Sequence, residues 1–180
     1  MALAFACVVY TWLTLPDVRP LRTQTPATTA FMRMRSAEAK AAGKPAAMSQ
    51  HFIRYGRISP LLVRAVLVAE DAAFFQHDGV DYDEFKESIE VNLERGQVVR
   101  GASTITQQLI KLAEPRPRNL RTKLIEAVQA LRLEQVWDKQ RILAAYLNRL
   151  DYGNFNRGCA AAADFYFAKP LRDLSPAECA

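Results

Sequence analysis

From Ser59 onward the chain is punctuated by helix starts and stops, and this punctuation constrains its fold more than any other feature. Ser59-Pro60 supplies an N-cap and a proline at the first helical position. The segment behind it, Leu61-Leu62-Val63-Arg64-Ala65-Val66-Leu67-Val68, is apolar nearly all round. It is expected to run to about Ala73 as a buried helix. Asp83–Arg95 sets Phe85, Ile89 and Leu93 at helical spacing and stops at Gly96. Thr104 and Gln107 stand at capping-box spacing and open another helix. Asn119 caps a long helix reaching about Trp137, with Leu120, Leu124, Ala127, Leu131 and Glu134 on related faces. Asp138 caps the next, whose core face is Ile142, Leu143, Tyr146 and Leu147. A loop with two glycines over Asp151–Gly158 leads to a short Ala-rich helix, Ala160–Phe167. Ser175-Pro176-Ala177-Glu178 is one more helix start, two residues before the chain ends. The expectation is a mainly α domain with its C-terminal part missing.

Before Ser59 the pattern is looser. Ala2–Leu15 is a nearly unbroken apolar run, short of the roughly 20 residues that span a bilayer. It reads as a partial transmembrane anchor over residues 1–15, with a buried core helix as the alternative. The basic residues Arg19, Arg22, Arg33 and Arg35 follow it, which by the positive-inside rule would place the body in the cytoplasm. A basic flank ahead of the run would remove that conflict. Residues 16–50 read as a linker: Pro16–Pro26 is an extended connector, and Thr28–Ala42 a helix stopped at Gly43-Lys44-Pro45. His51–Ile58 alternates bulky residues and reads as a short strand. Residues 51–180 form the main domain.

The acidic pair Glu70-Asp71 closes the apolar run after Pro60. Desolvation favours a neutral carboxyl, so a carboxylate there is a candidate for proton transfer. The blander reading is a surface pair at a frayed helix end. The net charge of +5 favours an anionic partner. The basic residues over Arg95–Arg141 form no block and no nucleic-acid fold signature, which points to phosphate or a membrane surface and away from nucleic acid. Three cysteines without a CxxC, and only two histidines, give no zinc site or disulfide framework. No metal-ligand set is read.

Five motifs then occur in order. They are Glu70-Asp71-x-x-Phe74-x-x-His77-x-Gly79; Gly101-x-Ser103-Thr104-Ile105-Thr106-Gln107-Gln108; Lys123-Leu124-Ile125-Glu126, with Arg118 in the loop before it; Lys139-x-Arg141-Ile142-Leu143-x-x-Tyr146-Leu147-Asn148; and Ala161-Ala162-Ala163-x-x-Tyr166-Phe167-x-Lys169-Pro170. In this order they resemble glycosyltransferase family 51, the peptidoglycan glycosyltransferases, found as monofunctional transglycosylases or as the N-terminal domain of class A penicillin-binding proteins.

The resemblance implies a lysozyme-like, mainly α fold with a small membrane-contacting jaw subdomain. It implies polymerisation of lipid II into glycan strands, by inverting displacement of undecaprenyl pyrophosphate. The catalytic domain would stand on the periplasmic or outer face of the cytoplasmic membrane, on a single-pass anchor. By motif position Glu70 is the general base. Glu126 is the second catalytic glutamate, orienting basic residues or the donor. Lys111, Arg118 and Lys123 would hold pyrophosphate, and Ser103, Thr104, Gln107 and Gln108 would hydrogen-bond the substrate. Asp71, Phe74, His77, Gly79, Gly101, Lys139, Arg141 and Asn148 would support the site. Tyr146 and Leu147 read as core. No cofactor is required; a divalent cation, magnesium or manganese, is the one ion the resemblance admits, and Asp71 is read as orienting its loop. Partners would be lipid II, the nascent glycan strand, the membrane and a separate transpeptidase.

The chain departs from the family at Thr122 and Ile125, where a basic residue is usual, and at Glu87, with Lys86 adjacent. Two other readings stay open: a truncated or inactive fragment that binds lipid II, and a lysozyme-like glycan hydrolase.

Overall fold

The computed structural model describes residues 5–6, 9–10, 13, 30–43, 49–97, 99, 101–113, 116–117 and 119–180. The centre of the fold is a nine-residue helix, α4 (Ile105–Ala113), five of whose residues are buried. It packs on α5 (Leu120–Glu134) and α6 (Lys139–Leu147), and is touched by α1 (Ala30–Ala41). Around this centre lie α2 (Pro60–Glu70), α3 (Tyr82–Arg95), α7 (Cys159–Phe167) and the short α8 (Pro176–Cys179), which packs against α2. Phe74, Ile105, Leu133, Ile142, Leu143, Tyr146 and Leu147 are fully buried and fill the interior. The mainly α expectation holds.

Ser59 stands at the N-cap of α2 with Pro60 behind it, but its side chain makes no capping hydrogen bond; the other caps form as read. Thr104 and Gln107 bond reciprocally: the Thr104 N–H donates to Gln107 Oε1 at 3.1 Å and the Gln107 N–H to Thr104 Oγ1 at 3.2 Å. Asn119 and Asp138 accept from the backbone N–H groups of Thr122 and Arg141. Gly96 closes α3 in the left-handed conformation. Ser175 and Glu178 complete a capping box, and Lys169 with the Ser175 N–H holds the Glu178 carboxyl down at about 2.

The faces are where expectation and structure part. Only Leu62 of α2 is buried; the helix ends at Glu70, and Leu61 and Val68 are exposed. Its outer side opens on an apolar cavity of about 730 Å³ shared with Tyr146, Leu150, Tyr152 and α8. An all-round apolar segment shows that burial is favoured, not that a neighbour stands on every side. On α5, Leu120 and Leu124, read as lying on related faces, are exposed, while Thr122, Glu126 and Gln129 are buried with Leu133. Glu126 lines the cavity that also holds Lys111, Arg116 and Lys123, and Gln129 accepts from Arg116 at 3.0 Å. On α3 only Ser88 is buried, so Tyr82, Phe85, Ile89 and Leu93 form an exposed apolar stripe.

The strand expected over His51–Ile58 is also displaced. Tyr55–Arg57 is a 3-10 turn, and the pairing lies just before it. There β1 (Ser49–Gln50) runs parallel to β2 (Asn156–Arg157), inside the segment read as a glycine loop. Asn148 ends the ladder by taking the place of a strand partner. Its Oδ1 accepts from the Ile53 N–H at 2.8 Å, and its Nδ2 donates to the carbonyls of Ile53 at 2.8 Å and Ala144 at 2.7 Å. Asn148 is fully buried, so Asn148→Ala leaves two Ile53 backbone groups without partners. We expect a loss of about 2–4 kcal/mol in chemical unfolding, with an unchanged denaturant slope.

Of the apolar run at residues 1–15, Phe5, Val9, Tyr10 and Leu13 are helical and exposed, and the rest lies outside the described residues apart from Ala6. Much of the 16–50 connector also lies outside them. No described helix is long and apolar enough to cross a membrane.

Candidate active site

Glu70 is the last residue of α2 and is exposed, not enclosed by the apolar run that precedes it. It borders two hollows. One is the apolar cavity beside α8; the other, of about 350 Å³, is lined by Ala72, Asp81, Glu84, Gly101 and Ser103. Gln108, on the first turns of α4, donates from Nε2 to Glu70 Oε2 at 2.9 Å, with a longer contact of 3.4 Å to the Ser103 carbonyl. The Tyr146 hydroxyl donates to Gln108 Oε1 at 2.8 Å. Burial first, then the charges of Glu70 and Asp71, push the Tyr146 phenol above its usual range, so it remains a donor.

Beyond Gln108 and Ser103 lies a third cavity, of about 330 Å³, bearing Lys111, Arg116, Lys123 and Glu126. Lys123 Nζ donates to Ser103 Oγ at 2.6 Å and lies 3.3 Å from Glu126, whose side chain is buried. Glu126 and Lys123 thus form an ion pair within one turn of α5. Two lysines and an arginine around one carboxylate leave an excess of positive charge suited to a polyanion. Arg116 was not singled out from the sequence; its signal was the Pro115-Arg116-Pro117-Arg118 loop. Arg118, the arginine expected here, lies outside the described residues.

The floor of the site is the loop after Glu70. Asp71 is buried, and its carboxylate accepts the Ile105 N–H at 2.9 Å and His77 Nε2 at 3.0 Å. The Gly79 N–H donates to His77 Nδ1 at 3.1 Å, so the proton of the neutral ring sits on Nε2. Thr104 Oγ1 donates to the Gly79 carbonyl at 2.7 Å. Gly79 has φ +97° and lies against the backbone of α5 at Ala130. His77 and Asp71 therefore act as loop supports, and Thr104 and Gln107 are engaged in capping. Behind the loop, Lys139 Nζ donates to Glu134 Oε1 at 2.8 Å and sits 4.5 Å from the Phe74 ring centre. Glu134 also accepts from Thr106 at 2.6 Å. Arg141 lies over Trp137 at 4.4 Å, and Asn148 holds Ile53, so neither borders the groove. Gly101 borders it with open space where a Cβ would stand. Lys86 is exposed on α3, while Glu87 lines an acidic hollow with His77, Asp78 and Asp81.

Among the described residues, Asp71, His77 and Asp81 bring ligand-type atoms within 4.8 Å of one another. They do not fit a cation. Neither ring nitrogen of His77 has a free lone pair, the Asp71 oxygens hold N–H groups, and Asp81 caps α3 by accepting from Glu84. No step is routed through a metal.

The sequence profile described as Transglycosylase matches residues 37–180. The chain is 41% identical over 181 residues to the biosynthetic peptidoglycan transglycosylase of Azoarcus sp. strain BH72, spanning 99% of this chain and 78% of that protein. A protein of the same description from Aromatoleum aromaticum is 40% identical over 156 residues, 86% of this chain and 68% of its own length. One from Chromobacterium violaceum is 36% identical over 180 residues, 99% and 79%. With the groove, its exposed glutamate and its cationic cavity, these matches place the chain: it belongs to the transglycosylase family.

Proposed function

We propose that this chain is a peptidoglycan glycosyltransferase that polymerises lipid II into glycan strands. One observation carries the reading: an exposed carboxylate, Glu70, stands beside a cavity bearing Lys111, Arg116 and Lys123, separated from it by Gln108 and Ser103. The reaction needs a group to take the acceptor hydroxyl's proton and cations to stabilise the departing diphosphate. Glu70 takes that proton as the hydroxyl attacks the anomeric carbon of the donor. The bond to the lipid pyrophosphate breaks, and its electrons pass to a phosphate oxygen. Lys111, Arg116 and Lys123, with Arg118, neutralise the charge that develops there. Ser103 positions Lys123 or bonds the diphosphate directly, and Glu126 keeps Lys123 in place. An α-linked donor and a β-linked product require one displacement with inversion and no covalent intermediate. The reaction as drawn uses no cofactor.

The same reading extends to place and partners. Residues 1–15 contribute to a membrane anchor, 16–50 connect it to the domain, and the domain works on the periplasmic side of the cytoplasmic membrane. The exposed stripe of Tyr82, Phe85, Ile89 and Leu93 suits a jaw that rests on lipid. A separate transpeptidase would receive the strand. The second reading, a lipid-II-binding chain without turnover, is favoured by Glu87 in an acidic hollow where the family usually carries a base. The test is labelled lipid II incubated with the purified chain. Long, lysozyme-sensitive glycan is expected. Binding without polymer, under conditions where a relative polymerises, would leave only the second reading.

A further inference from the structure

We propose that Tyr146 is a positioning residue: through Gln108 it holds the Glu70 carboxylate as a proton acceptor. A glutamine amide can point either end at a neighbour, because exchanging its oxygen and nitrogen hardly changes its shape. Here one end meets a hydroxyl from the core and the other a carboxylate. Tyr146 is buried on α6, and its hydroxyl donates to Gln108 Oε1 at 2.8 Å. That leaves Nε2 to face Glu70, at 2.9 Å. The opposite orientation would set two hydroxyl-seeking oxygens, Gln108 Oε1 and Glu70 Oε2, against each other. It would suit only a protonated glutamic acid, which cannot act as a base. The fixed orientation suits the ionised form and restrains the rotation of an otherwise exposed side chain.

The relay spans three helices. Glu70 ends α2, Gln108 stands near the capped start of α4, and Tyr146 stands in the interior on α6. The phenol keeps its proton to donate, because burial and the nearby Glu70 and Asp71 charges oppose its ionisation. Both amide ends of Gln108 are thereby engaged within the chain, its remaining N–H direction pointing toward the Ser103 carbonyl at 3.4 Å. Gln108 thus acts on Glu70 as well as lining the cationic cavity.

The inference rests on Glu70 as the base, so the test has two arms. In the first, Tyr146→Phe keeps the ring and removes the donor. We expect kcat for lipid II polymerisation to fall about tenfold with KM within about twofold, the loss of one orienting hydrogen bond. A rise in KM at constant kcat, or no change in either, overturns the proposal and leaves Tyr146 as packing. The second arm needs no activity: nuclear magnetic resonance of the Gln108 side-chain amide in the full chain without substrate. Tyr146→Phe and Glu70→Gln should both shift this signal and speed its exchange with water. A signal indifferent to Tyr146→Phe sinks the relay even if the variant is slow. If the wild-type chain makes no polymer while the amide responds as expected, the functional reading fails and the relay stands.

Discussion

Glu70→Gln is expected to abolish glycan polymerisation and to leave the fold and lipid II binding in place. The loss in kcat should be at least about 10³-fold, within the range by which a positioned base accelerates proton transfer. The fold is spared because Glu70 is exposed, and a glutamine oxygen can still accept from Gln108 Nε2. Binding should be spared because the cations proposed to meet the diphosphate are borne by α4, α5 and the loop between them. The measurement is polymer formed from labelled lipid II, beside an unfolding curve and a binding isotherm for the same variant. Retained turnover would remove Glu70 as the base. Lost turnover together with a lowered unfolding midpoint would show that the residue is structural.

Gly79→Ala is expected to unfold the motif-one loop. At φ +97° an added Cβ is strained, and it would stand 2.9 Å from the Ala130 carbonyl carbon and 3.2 Å from the Leu131 nitrogen. Both atoms belong to the backbone of α5, which cannot yield as a side-chain tip can. The two penalties together destabilise the chain by about 3 kcal/mol or more. Activity should fall further than the folded fraction does. The Gly79 N–H and carbonyl hold His77 and Thr104, and through Asp71 these fix the residue that follows Glu70. Urea unfolding and polymer yield at matched folded concentration test this. An unchanged midpoint would mean that the loop does not approach α5 so closely in solution.

What the sequence discloses is local. Each cap, at Thr104, Asn119, Asp138 and Ser175, depends on residues three apart, and each makes its bond. Helix faces depend on what lies across the gap. Leu120 and Leu124 have helical spacing, yet Thr122, Glu126 and Gln129 are buried, the last two with Lys123 and Arg116 as partners. On α3 a sound amphipathic pattern is exposed, since periodicity marks an apolar stripe without naming its partner. The site divides in the same way. Ser103, Lys123 and Glu126 are legible from the ordered motifs and border one cavity with Lys111. Tyr146 looks like any core tyrosine, because its bond reaches a residue 38 positions away. The sequence between the two carries no mark of that meeting.

The bonds from Thr104 to Gly79, from the Ile105 N–H to Asp71 and from His77 to Asp71 also carry a thermodynamic consequence. The loop that follows Glu70 and the start of the helix facing it have few groups that can be released separately. Opening either one exposes the other's buried polar atoms. The two segments therefore share a single free energy of local opening, and fluctuations that would displace the loop behind Glu70 must cross it as one cooperative unit.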